Sequence, residues 1–148
     1  MKRRVKRIVI HCTATPQSTT TAQLMRSFKE RGWAAPGYHL LVLPAGSIRQ
    51  LWPLDRVANG ARGYNATSVH VAWVGGVDAA GRPVDNRTPA QRAALRLLVE
   101  RLAKSFPDAD IVGHRDLSPD LNGNGIVDPW ERVKECPCFD VRAEYADL

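Results

Sequence analysis

Short runs of apolar, often β-branched residues recur along the chain, and five of them predict β-strands. These runs cover residues 4–12, 37–43, 48–51, 68–75 and 111–113. The fourth run is almost continuously apolar, which is typical of a central strand that is buried on both faces. A turn sequence at 44–47 joins the second and third runs, so we predict a hairpin there.

Two longer segments have helical periodicity, and each follows a threonine in a capping-box sequence. Thr20 and Gln23 have the capping-box spacing before the first helix, which we expect to end at Gly32. Thr88 and Gln91 repeat this spacing before the second helix, whose apolar stripe consists of Leu95, Leu98, Val99, Leu102 and Phe106. Because strands and helices interleave, the sequence predicts a single α/β domain with a mixed central sheet flanked by helices on both faces.

Composition agrees with one globular domain and adds a positive charge. The chain has 148 residues, 44% of them hydrophobic, and 21 Lys and Arg against 15 Asp and Glu, which gives a net charge of +6. Basic residues cluster near the start, at Lys2, Arg3, Arg4, Lys6 and Arg7. The charge favours an anionic partner, but no zinc-finger, RNP-type or helix-turn-helix pattern accompanies it, so we expect no nucleic-acid partner.

No apolar run is long enough for a membrane helix or for the core of a signal peptide. We therefore expect synthesis in the cytoplasm, no membrane span and a monomer. The three cysteines are an odd number in a chain without a secretion signal, which favours metal ligation or simple burial over a disulfide framework.

Two histidines and one cysteine stand where a metal site can form. His11 ends the first predicted strand, His114 follows the last one, and Cys136 precedes Pro137. Two imidazoles and one thiolate leave a fourth tetrahedral position open, as in catalytic rather than structural zinc sites. The spacing by itself is not specific, because a histidine at a strand end is more often an ordinary hydrogen-bonded residue.

Seven short motifs occur in a fixed order along the chain. They are His11-Cys12-Thr13-Ala14-Thr15, Gly37-Tyr38-His39, Ala61-Arg62-Gly63-Tyr64-Asn65, Val74-Gly75-Gly76, Thr88-Pro89-Ala90-Gln91, Gly113-His114-Arg115-Asp116 and Cys136-Pro137. Together they resemble the zinc-dependent N-acetylmuramoyl-L-alanine amidases, a family that includes phage lysozymes and, more distantly, peptidoglycan recognition proteins. The resemblance extends over residues 5–140.

The resemblance implies a peptidoglycan amidase that holds zinc through His11, His114 and Cys136. It also implies that Tyr38 and Lys134 are required for hydrolysis, whereas the residue types alone would favour a core tyrosine and a surface lysine. The implied role is that of an endolysin, which acts on the cell wall after release. The alternative is a non-catalytic peptidoglycan-binding module, although such a module has no need of a thiolate ligand.

Two departures from the phage-lysozyme pattern stand out. Gly60 occupies a position that is often histidine in those enzymes, which leaves that edge of the cleft without a side chain. In addition, 21 residues separate His114 from Cys136, so the chain carries an insertion between two expected ligands.

The insertion has the spacing of an EF-hand loop over residues 120–131. Its expected calcium ligands are Asp120, Asn122, Asn124, the carbonyl of Ile126, Asp128 and Glu131, with Gly125 at the sharp turn. These residues are also common turn formers, so a polar surface loop is the alternative. We expect the remaining chemistry-bearing residues to be structural: His39, His70, Cys12 and Cys138.

Overall fold

A mixed five-stranded sheet lies at the centre of the protein, in a computed structural model that describes residues 3–148. Lys2, the first residue of the basic cluster, lies outside the described residues. The strands are β1 (Arg7–Cys12), β2 (Leu40–Val42), β3 (Ile48–Gln50), β4 (Ser68–Trp73) and β5 (Asp110–Gly113). The helices are α1 (Thr21–Glu30), α2 (Pro89–Ser105) and α3 (Val141–Glu144).

The strand order is β3-β2-β4-β1-β5, and only the predicted hairpin of β2 and β3 pairs antiparallel. β4 pairs in parallel with β1 on one side and β2 on the other, and all six of its residues are buried. The prediction of a central fourth strand is therefore confirmed. β5 is the edge strand beside β1, again in parallel.

Helices cover both faces of the sheet, as predicted. On one face, the apolar stripe of α2 packs with α3 against alternate residues of β1, β2 and β4. On the other face, Leu24 and Phe28 of α1 pack against Leu41, Ala72 and Val74. Both predicted capping boxes form, at Thr20 and at Thr88. No helix in residues 3–148 is both long and apolar enough to cross a membrane.

The sequence prediction differs from the structure mainly at the ends of elements. The first and second strands begin later than predicted, at Arg7 and Leu40. The four-residue helix α3 was missed because a single turn is too short to show helical periodicity. The topology also has a functional consequence. Because β1, β4 and β5 run in parallel, their carboxyl-terminal ends lie side by side at one end of the sheet.

Candidate metal centre

Strand register brings His11 and His114 together at the carboxyl-terminal ends of β1 and β5. Ile10 of β1 pairs with Gly113 of β5, so the next residue on each strand is a histidine, and the two ring centroids are 4.7 Å apart. His114 begins a 3-10 turn, in which the carboxylate of Asp116 accepts the N–H of Gly113 at 2.7 Å. The turn ends the strand and directs His114 back toward His11.

Backbone contacts hold Cys136 beside the two histidines. The N–H of Arg115 donates to the carbonyl of Cys136 at 2.8 Å, and the N–H of Cys12 donates to Cys136 Sγ at 3.2 Å. The Cys136–Pro137 peptide bond is cis. A Cβ atom at Gly113 would lie 2.8 Å from Cδ of Pro137, so only glycine allows the segment to approach the end of β5 this closely.

The donor atoms of His11, His114 and Cys136 fit a zinc ion. All three lie within 4.8 Å of one another, and the separation between Cys136 Sγ and His11 Nδ1 is 3.8 Å. A tetrahedral zinc site with ordinary bond lengths places nitrogen and sulfur donors about 3.3–3.8 Å apart. Within residues 3–148, no other group of three or more His, Cys, Asp or Glu donors comes together in this way.

Burial keeps both donor imidazoles neutral, which is the form that can bind a metal. Desolvation lowers the pKa of His11 well below its usual range, with further lowering from the neighbouring histidines. Desolvation and the nearby Lys134 ammonium lower the pKa of His114 to about 4. At neutral pH both rings therefore offer a lone pair without having to lose a proton first.

A chain of hydrogen bonds lies behind His11. Its Nε2 atom is 2.8 Å from Nδ1 of His70, and Nε2 of His70 is 2.9 Å from Oδ1 of Asn65. His70 is fully buried, and desolvation lowers its pKa to about 3. The sequence correctly predicted a buried core histidine at 70, but it did not show the contact with the candidate metal donor His11.

Tyr38 and Lys134 face the same cavity as the three donors. The ring of Tyr38 lies 5.1 Å from that of His11, and its hydroxyl donates to the carbonyl of Cys12 at 3.4 Å. Burial raises the pKa of Tyr38, so the phenol remains a neutral donor. Lys134 is exposed and lines a cavity of about 180 Å³ together with Tyr38 and the three donors.

The prediction that Tyr38 and His39 lie within a strand was wrong. The predicted second strand covers residues 37–43, whereas β2 begins only at Leu40. His39 stacks on His70 with 5.9 Å between ring centroids, and its Nδ1 accepts the N–H of His70 at 2.9 Å. Both side chains therefore lie on the His11 side of the sheet. His39 contacts His70 and contributes to the packing behind the site.

The expected calcium ligands are engaged in hydrogen bonds within their own loop. Asp120 accepts the N–H groups of Gly123 and Gly125 at 3.1 and 2.7 Å. Glu131 is buried and accepts the N–H groups of Asp128 and Leu121. The loop is therefore closed by its own carboxylates, and its acidic groups are not gathered around one point as the zinc donors are.

The thiols of the other two cysteines are not among the three clustered donors. Cys12 is buried in the core on the opposite face of β1, and its Sγ atom is 3.8 Å from Sγ of Cys138. Cys138 is half-buried and also contacts the carbonyl of Gly76.

Comparison with known proteins places the chain in a family. Residues 1–138 match the family described as N-acetylmuramoyl-L-alanine amidase. The chain is 34% identical over 143 residues to the endolysin of Klebsiella phage KP32, which covers 95% of this chain and 85% of the endolysin.

Two solved structures share the fold. The amidase LysCS from Clostridium intestinale superposes with a TM-score of 0.75 at 24% identity, over 97% of this chain and 85% of that one. Drosophila PGRP-LB superposes with a TM-score of 0.69 at 20% identity, over 100% of this chain and 83% of that one. The two superpositions confirm the predicted recognition-protein-like fold. The family match and the endolysin relative favour the enzyme over the binding module. The chain belongs to the N-acetylmuramoyl-L-alanine amidase family.

Proposed function

We propose that this amidase is a zinc enzyme that cleaves the bond between N-acetylmuramic acid and L-alanine in peptidoglycan, in the role of an endolysin. One observation carries the proposal: three metal donors within 4.8 Å of one another form the floor of a cleft that Tyr38 and Lys134 also line. His11, His114 and Cys136 would hold the ion. The phage relative that is named an endolysin supports the biological role.

The chemistry of amide hydrolysis accounts for the remaining residues. Bound zinc would supply a Lewis acid that activates water near neutral pH and polarises the scissile carbonyl. Attack on the carbonyl places negative charge on its oxygen, and the exposed Lys134 that lines the cleft would stabilise that charge. The neutral hydroxyl of Tyr38 would donate a hydrogen bond to the attacking water or to the same oxygen.

The cleft is long enough for more than the reacting bond. A second cavity of about 360 Å³ adjoins the first, and the two share Arg31, Trp33, Asn59, Gly60, His114 and Lys134. An extended cleft suits a substrate with a sugar on one side of the amide and a peptide on the other. The net charge of +6 favours approach to the anionic cell envelope.

The reaction products identify the bond that is cut. Digestion of purified peptidoglycan should release new N-terminal L-alanine and no new reducing sugar ends, because only the muramoyl amide is hydrolysed. Treatment with a chelator should abolish this release, and added Zn²⁺ should restore it. Dominant release of reducing ends would show a glycosidase instead, and full activity in metal-free protein would exclude the zinc mechanism.

We infer that the 120–131 loop binds calcium. Its spacing supplies oxygen ligands at all the expected positions, namely Asp120, Asn122, Asn124, the Ile126 carbonyl, Asp128 and Glu131. The contact from Glu131 to the backbone of Leu121 and Asn122 already brings the end of the loop to its beginning. To bind the ion, the Glu131 carboxylate would exchange its contacts with the N–H groups of Leu121, Asn122 and Asp128 for calcium.

Calcium should stabilise the protein through preferential binding to the folded state. With a Kd of about 10⁻⁴ M, about 1 mM Ca²⁺ adds about 1.4 kcal/mol, which corresponds to about 3–5 °C in Tm. Emission from Trp130, which is exposed inside the loop, should change in the same titration. The Glu131→Gln variant should lose the response. A parent protein that responds no more than this variant would leave only a polar surface loop.

A further inference from the structure

The hydrogen-bond chain behind His11 has a fixed direction. Oδ1 of Asn65 accepts the backbone N–H of Ala61 at 2.8 Å, so this atom is the amide oxygen and not the nitrogen. The same oxygen is 2.9 Å from Nε2 of His70, which must therefore carry a hydrogen. Because a neutral imidazole has one donor and one acceptor, Nδ1 of His70 is an acceptor.

This direction determines which nitrogen of His11 is available to a metal. Nδ1 of His70 lies 2.8 Å from Nε2 of His11, so Nε2 carries the hydrogen of His11 and Nδ1 keeps a lone pair. Nδ1 is the atom that faces Cys136 Sγ, at 3.8 Å. The opposite tautomer of His11 would place a hydrogen toward the metal site and leave two acceptors facing each other at His70.

Gly60 provides the space that this arrangement requires. A Cβ atom at position 60 would lie 2.4 Å from both Cγ and Nδ1 of His70 and 2.7 Å from Cε1. Contacts under 3.0 Å essentially never occur, so any side chain at 60 would displace the imidazole. His39 also stacks on the His70 ring, which is therefore confined by both Gly60 and His39.

We propose that His70 is a positioning residue of this amidase, which holds His11 in the metal-binding tautomer, and that Gly60 is required because it admits the His70 ring. The inference rests on the zinc site proposed above. It assigns a function to a buried histidine that does not line the cleft. The ring acts on zinc only through His11, as outer hydrogen-bond partners of metal ligands do.

The first test needs no metal. Nitrogen NMR of histidine-labelled apoprotein reports which ring nitrogen carries the hydrogen. In the parent, His11 should be present as the Nε2–H tautomer, whereas His70→Phe, which keeps a flat ring without an acceptor, should give a mixture of both tautomers. A parent protein with His11 in the Nδ1–H form would overturn the proposal.

The second test measures zinc affinity by competition with a chelating dye. His70→Phe should weaken Zn²⁺ binding about 10–100-fold, the usual effect of removing an outer partner of a ligand histidine. Tyr145→Phe is the matched control, because it also removes a polar atom from a buried ring, but that ring lies in the core on the opposite face of the sheet. Equal zinc affinity in parent and His70→Phe would refute the role of His70, whereas a parent that binds no zinc would refute the proposed function instead.

A third variant covers the case in which His70→Phe does not fold. Gly60→Ala removes no polar atom, but it should displace the ring and also weaken zinc binding. In a His70→Ala background the same Gly60→Ala change should have no effect, because the displaced ring is absent. Additive effects of the two substitutions, or unchanged affinity in Gly60→Ala, would show that position 60 does not act through His70.

Discussion

Replacing Tyr38 with phenylalanine separates catalysis from metal binding more cleanly than any other single change in the cleft. The substitution removes one hydroxyl and keeps the ring, which packs 5.1 Å from the His11 ring and 5.6 Å from the Phe28 ring. The hydroxyl makes one long hydrogen bond, 3.4 Å to the carbonyl of Cys12. Its loss should therefore cost about 0.5–1 kcal/mol of folding stability or less.

The expected loss of activity is much larger than the loss of stability. A donor that is preorganised in a water-excluded site contributes about 2.7–4 kcal/mol to the transition state, which is about 100–1000-fold in kcat. Burial raises the pKa of Tyr38, so the hydroxyl remains protonated over the whole pH range around neutrality. Because the hydroxyl is not a metal donor, zinc content should stay at the parental level and the loss should fall mainly on kcat.

The assay is release of N-terminal L-alanine from purified peptidoglycan by protein of measured zinc content. Tyr145→Phe is the matched control, since its ring is buried in the core on the opposite face of the sheet and does not line the cleft. This control should change the rate less than about threefold. If Tyr38→Phe retains a rate within the same range, the hydroxyl has no part in the transition state; if zinc is lost together with activity, Tyr38 acts in building the site.

Three further predictions follow from the same structure. His114→Ala should lose zinc and peptidoglycan hydrolysis together, and a variant that keeps both would contradict the site. Lys134→Ala should keep zinc but slow hydrolysis about 10–100-fold, while Lys104→Ala on α2 should not slow it. The Arg87 hydrogen bond lowers the pKa of Glu144, so its stabilisation is present at neutral pH and is lost as pH falls through the lowered pKa. Arg87→Met should thus cost about 1.5–3 kcal/mol in urea unfolding at neutral pH and less in acid; an equal cost at both would refute the charge effect.

The sequence best predicts those parts of the fold that depend on residues close to one another along the chain. Thr20 and Thr88 cap helices through hydrogen bonds to residues only three positions further along the chain, and both caps form as predicted. Strand ends depend on partners that are distant in sequence. The second strand is shorter than its apolar run because its pairing with β3 covers only Leu40–Val42, and nothing within the run itself marks that limit.

The candidate site shows the same division between local and distant information. The resemblance to a family identified His11, His114 and Cys136, whereas their spacing alone left ordinary roles open. Their approach depends on the pairing of Ile10 with Gly113. The role of His70 depends equally on register, because Val9 pairs with His70 and a shift by one residue would turn the ring to the other face.

The insertion between His114 and Cys136 should affect Cys136 and Lys134 unequally. Cys136 is fixed at its own end of the segment by the N–H groups of Arg115 and Cys12. The entropic cost of closing a loop grows only slowly with its length, so the 21 intervening residues need not weaken these contacts. Lys134 is exposed and lies within the insertion itself, where the neighbouring Val133 N–H donates to Ser118 Oγ. If calcium orders the insertion as proposed, a calcium titration should therefore change the rate of hydrolysis through Lys134 and leave the zinc affinity nearly unchanged.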